Sequence, residues 1–163
     1  MQGVDSEVAA AYHVSGRAVA AVLRGWTTGQ VSVHGCEEWR EEPPAAAPFI
    51  AYAGMWAAAR RRGDLAGDGI VSDDLLTRAM QDHPGDASAV GQAQFEVATV
   101  LRGAGATDEW GWLPGVSAAW QAELEQMWPV VQHVAVLVLA GRSVSAARVR
   151  RLADDRLAGG LAI

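Results

Sequence analysis

The sequence predicts a single domain that is mainly α with a small β element. Three observations lead to this class. Hydrophobic residues recur at helical spacing through most of the chain, and one short stretch alternates apolar with polar residues as a strand does. The 163 residues contain no internal repeat and no linker long enough to divide them. We therefore treat residues 1–163 as one domain with one core.

Composition and charge exclude several classes of partner. The formal net charge is −6 and no basic stripe stands out, so a nucleic-acid partner has no electrostatic support. The densest apolar stretch, residues 134–140, is too short to span a bilayer, so no membrane partner is expected. Cys36 is the only cysteine and no signal peptide is recognisable, which predicts a reducing compartment and hence the cytoplasm. A homo-oligomer is compatible with the sequence.

The first third of the chain predicts a helix followed by a strand. The helix is expected over residues 6–24, with Ser6 as its N-cap. Its core stripe consists of residues at helical spacing: Val8, Tyr12, Ser15, Val19 and Val22. Val31 and Val33 then alternate with polar residues, which predicts a half-buried strand.

A second helix is expected to begin near Pro48 and to end before Gly63, since proline suits the first turn and glycine the residue after the last one. The chain then offers a helix that opens at "SDDLLTRAMQ" and stops before "HPGD", and another over residues 87–102.

The last third predicts a long helix and a short final one. The long helix covers residues 116–140, with Pro129 inside it and a kink expected there. Its buried face is marked by Val116, Trp120, Leu124, Met127, Val131, Val134 and Val138. The last helix begins near Ser145.

One segment of the first helix, "AYHVSGRA" at residues 11–18, points to a functional site. His13 and Arg17 are four residues apart and therefore stack on one side of the helix. Gly16 in a helix interior costs about 1 kcal/mol relative to alanine, which indicates close approach of another backbone or of a ligand.

Four stretches, taken in order, resemble the peptidase domain of FtsH-type ATP-dependent zinc proteases. They are "AYHVSGRA" (11–18), "YAGMWAAAR" (52–60), "SDDLLTRA" (72–79) and the helix–turn–helix pattern of residues 128–152. The resemblance covers about residues 5–152. It implies an FtsH-peptidase-like helical fold, with His13 at the position of a zinc-binding histidine. It also implies that Asp74, which directly precedes Leu75, stands at the position of the family's aspartate ligand.

The sequence departs from this family at the residues that carry its chemistry. Val14 stands at the position of the glutamate that activates water, and Arg17 stands at the position of the second zinc-binding histidine. A guanidinium is always protonated and has no acceptor, so it does not ligate zinc. The sequence also contains no GxxxxGK[ST] pattern of a P-loop ATPase. We therefore expect a protein without metal or cofactor that is not a zinc protease by the family mechanism. Whether it is an enzyme at all stays open.

The charge of Arg17 suggests a replacement for the metal. An aspartate left without its zinc would be costly to bury, and Arg17 is placed to compensate it. We expect Arg17 to pair with Asp73 or Asp74, with His13 hydrogen-bonded beside them. The simpler interpretation is that both aspartates only favour the dipole of a helix capped by Ser72.

Two groups of residues follow as site candidates. The catalytic candidates are His13 and Asp74. The binding candidates line the expected cleft or supply aromatic surface: Arg17, Val14, Asp73, Trp56, Trp110 and Trp112.

Four functions remain open from the sequence. The first is a non-proteolytic protein whose old active-site cleft binds a small molecule or peptide. The second is a repurposed enzyme in which His13 and Asp74 act as acid and base on an apolar metabolite. The third is a regulatory partner of an active protease. The fourth is a zinc hydrolase that uses a recruited histidine.

Overall fold

The fold is described by a computed structural model that covers residues 2–37, 46–103 and 112–159. Over these residues the chain forms six helices and one three-stranded sheet. In chain order they are α1 (Gln2–Leu23), β1 (Gln30–Ser32), β2 (Gly35–Glu37), α2 (Ala47–Ala66), α3 (Asp73–Asp82), α4 (Pro84–Gly103), α5 (Trp112–Leu139), β3 (Val144–Ser145) and α6 (Ala146–Leu157). The predicted class, mainly α with a small β element, is confirmed.

The centre of the molecule is the contact between α1 and α2. Every residue from 49 to 59 in α2 is buried, so this helix is surrounded by protein along most of its length. A Cβ atom on Gly16 would lie 2.5 Å from the carbonyl oxygen of Ala53 and 2.6 Å from the Cβ of Ala57. The glycine therefore lets the two helix backbones approach closely, as the sequence indicated.

Helix α5 packs against α1 and α2 through its periodic apolar face. Leu124, Met127, Val131, Val134 and Val138 are each at most 1% exposed, which confirms the predicted stripe over these positions. The side chain of Val116 lies outside the described residues. Pro129 lies inside the helix, as predicted.

The region predicted as one strand forms a tight hairpin of two strands, β1 and β2. β1 is the middle strand and pairs antiparallel with both neighbours, so that Val31 faces Cys36 on β2 and Val144 on β3. Val33 is 46% exposed, so the prediction that it shares the buried face of the strand with Val31 is wrong. The chain turns at Val33 and His34 and enters β2 at Gly35, whose φ of 117° favours glycine. The apolar–polar alternation therefore ends at Ser32.

Helix ends were predicted with mixed success. Ser72 accepts a hydrogen bond from the backbone N–H of Leu75 and caps α3, and Ser145 caps α6 in the same way. Ser6 is not an N-cap, because α1 begins at Gln2.

Gly63 lies within α2 and not after its end. The helix continues to Ala66 and is terminated by Gly67, which has a left-handed φ of 92°. A Cβ on Gly63 would lie 2.3 Å from the carbonyl oxygen of Ile70, so this glycine admits the returning chain. Among the described residues, no helix combines the length and apolarity needed to cross a membrane.

Candidate functional site

One carboxylate joins the two polar residues that the sequence singled out on α1. His13 Nε2 lies 2.8 Å from Asp86 Oδ2, and the guanidinium of Arg17 donates a hydrogen bond from Nη1 to Asp86 Oδ1. An ionised carboxylate only accepts hydrogen bonds, so Nε2 of His13 carries a proton in this contact. The three side chains are between 12% and 25% exposed, which leaves them partly accessible from solvent.

Asp86 lies in the first turn of α4, where a negative charge is favoured by the helix dipole. Burial alone would raise the pKa of this carboxyl. The hydrogen bonds from His13 and Arg17, together with their charges, outweigh that effect and lower the pKa below its ordinary value. Asp86 is therefore held as a carboxylate anion between two hydrogen-bond donors.

A second histidine completes the group. The ring of His83 stacks on the ring of His13, with ring centroids 3.6 Å apart and planes within 6° of parallel. His83 is the C-cap residue of α3, and its backbone N–H donates to the carbonyl of Ala79. Burial lowers the pKa of His83, and a positive charge on His13 lowers it further, while Asp86 opposes the shift. The neutral form of His83 is therefore favoured at neutral pH. We call His13, Arg17, His83 and Asp86 the histidine–arginine cluster.

Gly54 of α2 forms the floor of this cluster. A Cβ atom at this position would lie 2.8 Å from Cγ of Arg17 and 2.8 Å from both Cδ2 and Nε2 of His13. A side chain on Gly54 would therefore displace both residues from Asp86.

The carboxylate partner differs from the one we expected. Asp73 and Asp74 were proposed from the sequence, and both lie in the first turn of α3 with exposed side chains. The hydrogen-bonded carboxylate is that of Asp86. Sequence reasoning missed it because "HPGD" was taken as a break between helices. The available signal was Pro84 followed by an acidic residue, which is typical of a helix start.

The other binding candidates lie in different environments. Val14 packs against the core, and its carbonyl accepts a weak hydrogen bond from the thiol of Cys36, at 3.8 Å. Trp56 is 1% exposed and packs edge-to-face on Trp128, so it belongs to the core and presents no surface to a ligand. Trp110 and the side chain of Trp112 lie outside the described residues.

A groove of about 1060 Å³ runs beside the cluster between α1, α2 and α3. We call it the arginine groove because Arg61, Arg62 and Arg78 line it, together with one acidic residue, Asp82. The remaining lining residues are mostly small or apolar: Ser6, Val8, Ala9, Ala10, Ala58, Leu65, Leu75, Gln81 and His83. His83 thus belongs both to the groove and to the cluster.

The cluster differs in geometry from a metal site. The stacked imidazoles of His13 and His83 turn their ring faces toward each other, whereas metal ligation requires ring nitrogens that converge. Across residues 2–37, 46–103 and 112–159, no three histidine, cysteine or acidic side chains gather where they could hold a metal ion.

Comparisons with family models, with curated proteins and with solved structures found no match to this chain.

Proposed function

We propose that this chain is a non-proteolytic, metal-free relative of FtsH-type peptidase domains, and that its vestigial active-site cleft binds a small molecule or peptide. The observation that supports the proposal best is the shared carboxylate of Asp86. Arg17 stands where the resemblance places a zinc ligand, and its guanidinium supplies the positive charge that Asp86 requires. A reducing compartment such as the cytoplasm suits a chain with the single cysteine Cys36.

The cluster offers several hydrogen-bonding groups to a ligand. The guanidinium of Arg17 donates a hydrogen bond to Asp86 and brings a positive charge to the cluster. The neutral imidazole of His83 carries one donor and one acceptor. A ligand with a carbonyl, an amide or a hydroxyl group suits this combination, and peptides carry such groups along their backbone.

The absence of a general base at Val14 supports the non-proteolytic part of the proposal. Peptide hydrolysis at a zinc site needs a residue that removes a proton from the attacking water. Valine has no group that does this. We therefore expect no degradation of casein and no stoichiometric zinc in the purified protein. Stoichiometric zinc, or proteolysis that His13→Ala abolishes, would contradict the proposal.

Binding is tested by titrating a fragment library rich in amides and hydroxyls while recording the imidazole resonances by NMR. We expect hits to shift His13 and His83 and to leave His34 and His133, both exposed, unchanged. Arg17→Gln should weaken the hits. The control is Arg24→Gln, in the turn directly after the same helix but paired with Glu123. Hits that leave His13 unmoved would place binding elsewhere and refute the proposed cleft.

The second candidate is a repurposed metal-free enzyme, and the His13–Asp86 contact of 2.8 Å favours it. A carboxylate that orients an imidazole is a common arrangement for general acid–base catalysis. In this case His13 would transfer the proton and Asp86 would orient it, in place of the expected Asp74. His13→Ala and Asp86→Asn should then abolish turnover while Asp74→Ala leaves it intact. Equal loss in all three variants would contradict this assignment.

A further inference from the structure

We propose that the arginine groove binds a small amphipathic anion, in which a carboxylate or phosphate headgroup is attached to an apolar body. This names the class of ligand for the proposed cleft and to that extent rests on the proposed function.

The groove carries a positive charge that its own residues do not neutralise. Of its four charged residues, Arg62 and Asp82 pair with each other, Nη2 to Oδ2, at 2.5 Å. Among the described residues, Arg61 and Arg78 contact no carboxylate. Two cationic side chains therefore remain beside one opening, in a chain whose formal net charge is −6. A localised positive patch in an acidic protein attracts a small anion.

Two of these guanidinium groups also have hydrogen-bonding capacity that the described part of the chain leaves unused. Nε of Arg61 and Nη1 of Arg62 are buried without a hydrogen-bond partner there. Arg61 is held in place by Tyr12, since its guanidinium carbon lies 5.3 Å from the centre of that ring. A headgroup oxygen that reached the accessible N–H groups of either guanidinium would form a charge-assisted hydrogen bond there.

The rest of the lining suits an apolar body. Val8 and Leu75 are partly buried against the core, and Leu65 is 64% exposed. A ligand that covered Leu65 would remove apolar surface from water. The volume, about 1060 Å³, lies at the upper end of what is usual for small-molecule sites. The three arginines of the groove lie around one opening and one of them is paired with Asp82, which favours a small anion over a nucleic acid.

The groove meets the histidine–arginine cluster at His83, which lines one and stacks in the other. One end of a ligand that lies along the groove is therefore beside the cluster. This connection makes one elongated site out of two adjacent features.

The test uses two fluorescent compounds that share one skeleton. Anilinonaphthalene sulfonate carries an anionic group, and N-phenylnaphthylamine is its uncharged counterpart. We expect saturable binding of the sulfonate that weakens with added salt, and weaker binding of the neutral compound. Arg61→Gln and Arg78→Gln should each weaken sulfonate binding about tenfold and leave the neutral compound unaffected. Arg78 is exposed, so its replacement tests the proposal even if Arg61→Gln fails to fold.

The matched control is Arg151→Gln, an exposed arginine on α6 that does not line the groove. It should change neither affinity. Competition with decanoate and with decyl phosphate identifies the preferred headgroup, and displacement by either supports the proposal. Equal displacement by uncharged decanol would overturn it. So would the absence of saturable binding, or variants that lower the affinities of both fluorescent compounds equally.

Failure of this inference is distinguishable from failure of the proposed function through His13, which lines the cluster but not the groove. If fragments shift His13 while the sulfonate does not bind, the cleft stands and the anionic ligand class is refuted. If the sulfonate binds and Arg78→Gln weakens it, but no compound shifts His13, the groove is a separate anion site and the proposed cleft is refuted.

Discussion

The ion pair between Arg17 and Asp86 is the contact on which the proposed function depends most, and a double-mutant cycle measures it. The single variants are Arg17→Met and Asp86→Asn, which remove one charge each while preserving most of the side-chain volume. The cycle compares their separate effects on the free energy of unfolding with the effect of both together. The difference is the coupling energy between the two side chains.

The expected magnitude follows from how deeply the pair is buried. The Arg17 side chain is 25% exposed and the Asp86 side chain 17%. Breaking a fully buried pair costs about 3–5 kcal/mol, whereas an exposed pair contributes about 0–1 kcal/mol. Because the burial of this pair is intermediate, we expect Asp86→Asn to lower the free energy of unfolding by about 2 kcal/mol. Part of this loss comes from the weakened hydrogen bond to His13. We expect a coupling energy of about 1–2 kcal/mol. For a chain of this size the single variant should lower Tm by roughly 4–8 °C.

Urea unfolding followed by tryptophan fluorescence gives these free energies, since the chain has seven tryptophans. The control cycle uses Arg62→Met and Asp82→Asn, a pair in which the aspartate is 46% exposed and the coupling should stay below about 1 kcal/mol. The pKa of Asp86 is lowered in the folded state, so its contribution is complete above the ordinary value of 3.8 and is lost as pH falls through the folded pKa. A coupling no larger than that of the control pair would refute the reasoning.

Two further predictions concern Gly16 and His83. In urea unfolding, Gly16→Ala should destabilise the protein by about 1–3 kcal/mol, because the new methyl group meets the backbone of Ala53. The control, Gly91→Ala, has open space around it and should stabilise α4 by up to about 1 kcal/mol. A Gly16→Ala variant as stable as the original protein would contradict the close packing of α1 on α2. The lowered pKa of His83 means that the unfolded chain binds its proton first, so stability should fall as pH drops below the ordinary value of 6.5 and level off below the folded pKa. His83→Gln should flatten this part of the pH–stability curve. An unchanged slope would show that the titration of His83 does not cause this pH dependence.

Most of the helical core was predictable because it depends on local periodicity. Leu124, Met127, Val131 and the other members of the α5 stripe repeat at helical spacing, and a repeated pattern specifies both the helix and its buried face. The caps at Ser72 and Ser145 were predictable for the same reason, since a cap involves only residues three positions apart.

The composition of the cluster was only half predictable. His13 and Arg17 lie one turn apart, so their common face follows from helix geometry. Asp86 is 69 residues away from Arg17 in the chain, and their contact depends on how α3 and α4 pack onto α1. An acidic residue near a helix N-terminus is favoured by the dipole whether or not it has a partner. Asp73, Asp74 and Asp86 all satisfy that rule, so local sequence does not distinguish among them.

The charges of the cluster and the groove indicate where a ligand of the combined site should carry its charged group and its neutral group. The carboxylate of Asp86 already accepts a hydrogen bond from the guanidinium of Arg17. An anion that competed for this guanidinium would have to displace that carboxylate. Arg61 and Arg78 have no such competitor among the described residues. An anionic headgroup is therefore expected in the groove, whereas the cluster, where His83 is neutral, should contact an uncharged polar group. A ligand with a charged end and a neutral hydrogen-bonding end satisfies both parts of the site at once.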